Sequence, residues 1–326
     1  MKSCQTSAKV ATLWLLSLVI AGEAPAKAEN YPTHPVRFVV GFPSGGTADI
    51  QARIMGQWLS ERLGQPVIIE NKPGAASNLS IQSVINSRPD GYTLVLLSLN
   101  NVINSTFFEK LPFEIARDIT PVAGIAWGPI VMEVHPSVPA RTIAEFIAYA
   151  KGNPGKISIA SFGVGSMSHL VGELFKTMTG VNMVHVPYRG DAPALADLIA
   201  GHVQVYMGPL TASLPHIKQG ALRVLGVATS TRLDALPDVP TISETVPGFE
   251  ASGWAGIGVR AGTPPEIVET INREINAGLA VPAIRARLSD LSAFPMPLTP
   301  AQFATFIAAE TAKWAKVIEA SGVKAE

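Results

Sequence analysis

The chain has 326 residues, 47% of them hydrophobic, and it carries 25 basic side chains, 25 acidic side chains and one cysteine. This balance lacks the basic excess that attracts nucleic acids or anionic membrane surfaces, so neither is predicted as a partner. A single cysteine excludes an internal disulfide framework and a zinc site built from several thiolates.

The first 28 residues have the composition of a secretory signal peptide. Lys2 and Lys9 supply positive charge, residues 11–22 form an apolar run, and the AKA motif at 26–28 fits the small-x-small cleavage pattern. The run is too short to span a membrane, which takes about 18 or more apolar residues. Cys4 precedes the run, whereas a lipid-attachment cysteine would follow it. We therefore predict a periplasmic protein, exported by its signal peptide, with no direct membrane insertion after cleavage.

Strand-like apolar runs then alternate with amphipathic helical segments, which predicts an α/β fold with mainly parallel sheets. The first strand covers residues 36–40 and runs into a glycine-rich turn, and a helix follows over 48–63. Further strands are predicted at 67–70, 92–98, 131–134, 156–160, 183–186, 203–207, 222–228 and 254–259.

Three later helices are predicted from capping boxes, in which a threonine precedes the helix and a glutamate or glutamine follows three residues later. The threonines are Thr142, Thr263 and Thr299. The helix after Thr299 has a continuous apolar stripe, so we predict that it packs across the folded body.

The order of the predicted strands suggests two domains. The polar segment 100–104 and the region 229–231 are predicted to cross between them, and the strand at 254–259 then rejoins the first sheet. We therefore divide the chain into a signal peptide (1–28), domain I (29–100 plus 230–326) and domain II (101–229).

Two glycine-rich loops, each between a strand and a helix, are the strongest functional signal. The first loop is 42–49 (FPSGGTAD) and the second loop is 161–166 (SFGVGS). Their glycines remove side-chain bulk, and the first helical N–H groups point, unpaired, at whatever lies there. Two such loops predict the capture of a small anionic solute, and ordinary strand-to-helix turns are the structural alternative.

Several side chains near these loops could contribute. Asp49 lies in a first helical turn, where its charge would oppose a bound anion, so we assign it a loop-fixing role. Ser166 offers a hydroxyl at a helix start, and His169 follows in the first turn. Tyr188 could supply a hydroxyl or an aromatic wall, or pack in the core. Arg189 could pair with a carboxylate, or be a surface or hinge arginine.

Enzymatic alternatives have less support. The sequence has no G-x-S-x-G elbow and no phosphate-binding G-K-[ST] loop, and the G-x-G-x-x-S at 163–168 lacks the third glycine of a dinucleotide fingerprint. The six histidines show no spacing typical of metal ligands. We predict no cofactor, no metal and no catalytic residue; an exported α/β hydrolase would have to use Ser166 with His169.

Ordered motifs along the chain after the signal segment resemble the periplasmic substrate-binding proteins of tripartite tricarboxylate transporters, the TctC or Bug (Bordetella uptake gene) type. The segments that carry the resemblance are YPTHPV (31–36), FPSGGTAD (42–49), ENKPGA (70–75), PDGY (89–92), VPYRG (186–190) and LPDVPT (236–241).

The resemblance implies a two-domain periplasmic-binding-protein fold of type II-like architecture, with the ligand cleft between the domains. Each domain would be a mainly parallel sheet flanked by helices, and the pair would close on the ligand like a Venus flytrap. A carboxylate would be held largely by backbone amides and ordered water. Ser77 stands where a glycine is common in the family. Carried over residue by residue, the ligand-binding positions are Phe42, Pro43, Ser44, Gly45, Gly46, Thr47, Asp49, Ala75, Ala76, Ser77, Ser161, Gly163, Gly165, Ser166, His169 and Tyr188.

We therefore predict a monomeric, non-catalytic solute-binding receptor that captures a small carboxylate and delivers it to membrane transporter subunits. The alternatives are a ligand-sensing receptor for a membrane signalling partner and an exported α/β hydrolase. The motifs leave open which carboxylate is bound, how many carboxyl groups it has, and whether Arg189 contacts it.

Overall fold

The computed structural model describes residues 31–108 and 110–322, so the predicted signal peptide lies outside the described residues. Within these ranges the chain alternates strands with helices, as predicted. The strands are β1 (Val36–Val40), β2 (Val67–Asn71), β3 (Thr93–Ser98), β4 (Ile119–Val134), β5 (Ser158–Ser161), β6 (Val184–Pro187), β7 (Val205–Pro209), β8 (Arg223–Val227), β9 (Ser252–Arg260) and β10 (Phe294–Pro295).

The helices lie between these strands and after the last of them. They are α1 (Thr47–Leu63), α2 (Asn78–Ile85), α3 (Leu99–Phe107), α4 (Ile115–Asp118), α5 (Ile143–Gly152), α6 (Met167–Thr179), α7 (Asp191–Ile199), α8 (Leu210–Lys218), α9 (Pro265–Ala280), α10 (Pro282–Ser289) and α11 (Pro300–Ser321), with short 3-10 turns at Ala75–Ser77 and Ile242–Glu244.

Helix α1 illustrates how local sequence produces these elements. Ile54, Met55 and Leu59 recur at helical spacing and are buried, so one face of the helix packs on the sheet. Gly64 ends the helix with a φ of 69°, a left-handed conformation that glycine adopts without a steric cost. The helix predicted over 48–63 is confirmed to within one residue.

One of the three predicted capping boxes is complete, one is half formed and one is absent. Thr299 and Gln302 satisfy each other's backbone N–H groups. The Thr142 hydroxyl accepts the backbone N–H of Glu145 (3.1 Å), but Glu145 accepts the N–H of Arg141 instead of that of Thr142. The prediction at Thr263 was wrong because α9 begins at Pro265 with Pro264 at the N-cap, and Thr263 donates its N–H and hydroxyl to the last carbonyl of β9.

The strands form a mixed sheet with the order β2-β1-β3-β9-β4-β7-β5-β6. Pairing is parallel between β1, β2 and β3, and again between β5, β6 and β7. Pairing is antiparallel through the centre, where β9 lies between β3 and β4, and where β4 pairs with β7 and β8. We call the part from β2 to β9 the first sheet and the part from β7 to β6 the second sheet.

Strand β4 belongs to both sheets. Its residues 119–129 pair with β9, and residues 130–134 pair with β7 and β8. The segment predicted to cross at 100–104 lies in α3, and the chain enters the second sheet at residue 130. The assignment of 101–229 to a second domain stays a prediction, with 119–129 hydrogen-bonded in the first sheet.

The hydrophobic core lies on both faces of the sheet. Phe38, Ile54 and Ile271 pack between the first sheet and helices α1 and α9. The opposite face belongs to a cluster that runs from α3 to the second sheet and contains the fully buried Trp314 and Phe175. Helix α11 contributes Trp314 and packs on α3, α6 and β4, which confirms the prediction that the last helix packs across the body.

Glu133 is a buried carboxyl in the part of β4 that belongs to the second sheet. It pairs with Tyr206 across the ladder, its side chain is fully buried, and its two oxygens accept no hydrogen bond from any described residue. Burial raises the pKa of Glu133 to about 8; the Ser213 hydroxyl opposes this shift, and the nearby Asp191 carboxyl adds to it. Glu133 is therefore protonated at neutral pH.

This raised pKa predicts that Glu133 destabilises the fold as the pH rises. The folded chain keeps the proton up to about pH 8, whereas the unfolded chain releases it near pH 4.5, so stability is full below pH 4.5 and is lost between these values. Glu133→Gln removes the titration and keeps the shape. We expect its free energy of unfolding to rise relative to that of the natural protein as the pH rises, by up to about 5 kcal/mol at about 1.4 kcal/mol per pKa unit.

Urea unfolding at acid pH and at about pH 8 measures this effect. Glu269→Gln, on an exposed position of α9, is the matched control and should show no such pH dependence. A stability difference for Glu133→Gln that is the same at both pH values would contradict a raised pKa.

Candidate functional site

The loops predicted to bind a ligand follow the carboxyl ends of parallel strands. Because β1, β2 and β3 are parallel, the first loop, the Ala75–Ser77 turn and the start of α3 lie at one edge of the first sheet. The second loop follows β5 at the corresponding edge of the second sheet. Helix α3 contacts both sets of loops and so brings them together.

Asp49 fixes the first loop. Its Oδ2 accepts the N–H of Gly45 (2.9 Å) and Arg53 Nε (2.8 Å), and its Oδ1 accepts Asn71 Nδ2 (2.9 Å). Burial alone raises the pKa of this carboxyl, but the hydrogen bonds from Arg53, Gly45 and Asn71 outweigh it and hold the pKa below its usual value. Asp49 is therefore charged and paired at neutral pH.

This arrangement changes which amides of the first loop can bind an anion. The N–H of Gly45, which we had counted among the carboxylate donors, is already donated to Asp49. The N–H groups of Gly46, Thr47 and Ala48 have no acceptor among the described residues. The free donors are thus those at the start of α1, where the helix dipole also favours a negative charge.

The Ala75–Ser77 turn is strained. Ala75, Ala76 and Ser77 have φ values of 46°, 51° and 76°, and a left-handed residue other than glycine costs about 1–2 kcal/mol. The positive φ of Ser77 accounts for the glycine that is common at this position in the resembled family. The N–H groups of Ala75 and Ala76 have no acceptor in the described ranges, so this turn presents two further free donors.

Asparagines of α3 hold the strained turn in place. Asn104 Nδ2 donates to the carbonyl of Ala76 (2.6 Å), and Asn101 Nδ2 donates to Ser77 Oγ (3.3 Å). Asn101 Oδ1 also accepts the N–H of Ser98 (2.8 Å), which forms a capping box at the start of α3. We missed these residues because we interpreted 100–104 as a crossing; the S-x-x-N spacing from Ser98 to Asn101 was the available signal.

The second loop packs against the same helix. Met167, the first residue of α6, donates its N–H to Asn100 Oδ1 (3.3 Å). A methyl group at Gly165 would lie 2.6 Å from Cε1 of Phe107, and Gly165 has a φ of 72°, so glycine is required for this close approach. The N–H groups of Val164 and Ser168 have no acceptor among the residues that the structure describes.

The side chains of Ser166 and His169 form hydrogen bonds with the second loop and the start of α6. Ser166 Oγ caps α6 by accepting the N–H of His169 (3.4 Å), and it donates to the carbonyl of Gly163 (2.6 Å). His169 Nδ1 accepts the N–H of Gly165 (3.1 Å). Between the described atoms of Ser166 and His169, no hydroxyl-to-imidazole hydrogen bond exists of the kind that activates a nucleophile. The structure therefore does not pair the two residues that the hydrolase alternative requires.

Two further residues, Tyr188 and Arg189, follow β6. The N–H of Tyr188 donates to the carbonyl of Ser161 in the second loop (2.9 Å). Its hydroxyl donates to Asp197 Oδ2 (2.6 Å) and so points toward α7. Arg189 is exposed and makes no hydrogen bond or ion pair with the described residues.

Loops that follow parallel strands of two sheets and present unpaired N–H groups are typical of proteins that bind small anionic solutes. The chain matches the family model described as "Tripartite tricarboxylate transporter family receptor" over residues 51–323. It therefore belongs to this receptor family, and both the predicted family and the predicted fold class are confirmed.

Individual relatives agree along most of the chain. Protein BugT of Bordetella pertussis is 35% identical over 304 residues, which cover 92% of this chain and 93% of BugT. The structure of Rpa4515 of R. palustris with adipate is 37% identical in sequence, with a TM-score of 0.83. The match covers 90% of this chain and 99% of Rpa4515. MatC (Rpa3494) from Rhodopseudomonas palustris with bound malate is 31% identical, with a TM-score of 0.79. The match covers 88% of this chain and 100% of MatC.

Within the described ranges, no helix combines the length and the apolar character that crossing a membrane requires. The same residues contain no cluster of three or more histidine, cysteine, aspartate or glutamate side chains that could hold a metal ion.

The α3 asparagines give a testable prediction for the strained turn. Asn104 is fully buried, and Asn104→Ala removes the hydrogen bond to Ala76 and leaves that carbonyl unpaired. We expect a loss of about 1–3 kcal/mol in the free energy of unfolding, the usual cost of an unpaired buried polar group. Ser105→Ala, one residue later and exposed, is the control, with a change within about 0.5 kcal/mol. Similar losses for both variants in urea unfolding would argue against this role of Asn104.

Proposed function

We propose that this protein is an exported receptor that captures a small carboxylate between its loops and delivers it to the membrane subunits of a tripartite transporter. One observation carries the proposal: the first loop, the Ala75–Ser77 turn and the second loop follow the carboxyl ends of parallel strands and present unpaired N–H groups, and α3 joins the turn to the start of α6. A carboxylate accepts several hydrogen bonds at once, so it matches a site that offers donors from several directions.

The charges near the first loop also favour an anion. The carboxylate of Asp49 alone would repel an anion. Arg53, whose Nε lies 2.8 Å from this carboxylate, compensates its charge, and the backbone N–H of Gly45 and the side-chain amide of Asn71 donate hydrogen bonds to it. None of the predicted ligand-binding positions is a lysine or arginine. The ligand would therefore be held by backbone dipoles and bridging waters, which are nearly as favourable in enthalpy as direct hydrogen bonds.

The predicted residues divide into three roles under this proposal. Gly46, Thr47, Ala75 and Ala76 present free N–H groups, and we assign the ligand contacts of the first sheet to them. Asp49, Ser77, Ser166 and His169 hold the loops in shape through the hydrogen bonds described above. Phe42, Pro43, Ser44, Gly163 and Gly165 shape the loops around the ligand, and the hydroxyl of Tyr188 is engaged with Asp197 instead.

The family supports the chemical class of the ligand. The two structures described above were solved with adipate and with malate, and each of these molecules carries two carboxylates. We infer a small carboxylate for this chain as well. The same family supports a binding role without catalysis and a periplasmic location.

A thermal-shift screen of the purified protein, with residues 1–28 removed, tests the ligand class. Monocarboxylates, dicarboxylates, tricarboxylates, amino acids and sugars are compared. A ligand at about 100 times its Kd stabilises the folded state by roughly 2.7 kcal/mol, which raises Tm by a few degrees. We expect a rise confined to one class of carboxylate, and a rise only with sugars or amino acids would contradict the proposal.

Gly46→Val tests the first loop directly. Gly46 has a φ of −78°, and a methyl group there would lie 3.6 Å from the nearest atom, the carbonyl oxygen of Pro43, so the free protein accommodates a side chain. A bound carboxylate at the start of α1 would collide with it. We expect the Kd measured by calorimetry to rise at least about tenfold, which is 1.4 kcal/mol, with little change in Tm of the free protein.

The matched control for Gly46→Val is Gly152→Val at the end of α5, where the added methyl group also meets open space. This variant should bind like the natural protein. Equal losses of stability and affinity in Gly46→Val would identify the first loop as a structural turn instead.

A further inference from the structure

Two imidazole rings are stacked beneath the second loop. His169 of α6 and His185 of β6 have ring centroids 3.7 Å apart and planes inclined by 8°. Each ring contacts the second loop on its own side: His169 Nδ1 accepts the N–H of Gly165, and His185 Nε2 lies 2.6 Å from Ser161 Oγ. Only His169 was among the predicted site residues.

The hydrogen bonds around Ser161 determine where the protons lie. The N–H of Gly163 donates to Ser161 Oγ (3.2 Å), and Ser161 Oγ donates its one proton to the carbonyl of Gly163 (3.1 Å). All three contacts are hydrogen bonds at once only when the imidazole of His185 is the donor, with its proton on Nε2. The N–H of Gly165 likewise requires Nδ1 of His169 to be unprotonated, so neutral His169 also carries its proton on Nε2.

The surrounding charges are compatible with two neutral rings. Glu173 Oε1 lies 3.8 Å from His169 Nε2, but Lys176 Nζ lies 2.7 Å from the same oxygen and balances its charge. Burial lowers the pKa of both histidines to about 4, and Lys176 opposes their protonation further. For His185, the neighbouring His169 acts in the same direction, and Glu173 acts against it.

We propose that His185 is a positioning residue of the carboxylate site: its Nε2–H fixes the Ser161 hydroxyl, which closes the turn between Ser161 and Gly163 and so orients the free amides of the second loop. The proposal rests on the proposed function, because it assigns the second loop to the ligand. Gly163 has a φ of 144°, a flexible glycine conformation that needs such support from outside the loop.

Two substitutions separate the hydrogen bond from the ring. His185→Phe keeps a flat ring that can stack on His169 but has no donor, and His185→Gln keeps an N–H donor near the position of Nε2. We expect the Kd for the carboxylate found in the screen to rise about tenfold in His185→Phe, as for the loss of one hydrogen bond of about 1.4 kcal/mol. His185→Gln should stay within about threefold of the natural protein. His216→Phe, at a half-buried position of α8, is the control and should bind normally.

Ser161→Ala tests whether His185 acts through the hydroxyl. In the double variant with His185→Phe, the affinity should be no lower than in Ser161→Ala alone, because both changes break one hydrogen-bonded chain. Losses that simply add would overturn the proposed route. Unchanged binding in His185→Phe, or equal losses in the Phe and Gln variants, would overturn the positioning role.

Nitrogen NMR of the ¹⁵N-histidine-labelled natural protein without ligand tests the proposal without requiring that any variant folds. It should show both buried histidines neutral at pH 7 with the proton on Nε2, and a proton on Nδ1 of His185 would overturn the proposal. A natural protein with these tautomers that binds no carboxylate in the screen would instead overturn the proposed function, and with it the role assigned to His185.

Discussion

The side-chain amides at the start of α3 are the constraint on which the candidate site depends. Asn100 accepts the first N–H of α6, Asn101 caps its own helix and reaches Ser77, and Asn104 holds the carbonyl of Ala76. One short helix therefore holds loops from both sheets in place. The left-handed turn at Ala75–Ser77 persists because these amides compensate its strain. The strained backbone also exposes two N–H groups that a relaxed turn would not align.

The buried ionisable groups leave the site without a competing charge. Asp49 is ionised but paired with Arg53, and the stacked His169 and His185 are neutral. Glu133 keeps its proton at neutral pH. An anion at the loops would thus meet oriented N–H dipoles in a neutral surrounding, and such dipoles need no reorganisation when the ligand arrives.

Local sequence patterns were sufficient for the strand and helix order and for the two glycine-rich loops, because these depend on residues close together in the chain. The length of β4 was not predictable in this way: Pro121, Gly124 and Pro129 interrupt the strand pattern, and its register shifts twice against β9. The hydrogen bonds of Asn104 with Ala76 and of Ser161 with His185 join residues more than 20 positions apart. The hydrogen bond from the Gly45 N–H to Asp49 could not be predicted either, since sequence spacing alone does not say which N–H group the Asp49 carboxylate accepts.

The shared strand β4 also has a consequence for folding. Among the described strands β8 pairs only with β4, and the cluster containing Trp314 and Phe175 continues from one sheet to the other. The two sheets therefore share one strand and one part of the core. We expect them to unfold as one cooperative unit, and a chimaera that exchanges either sheet has to cut β4 within the strand instead of within a linker.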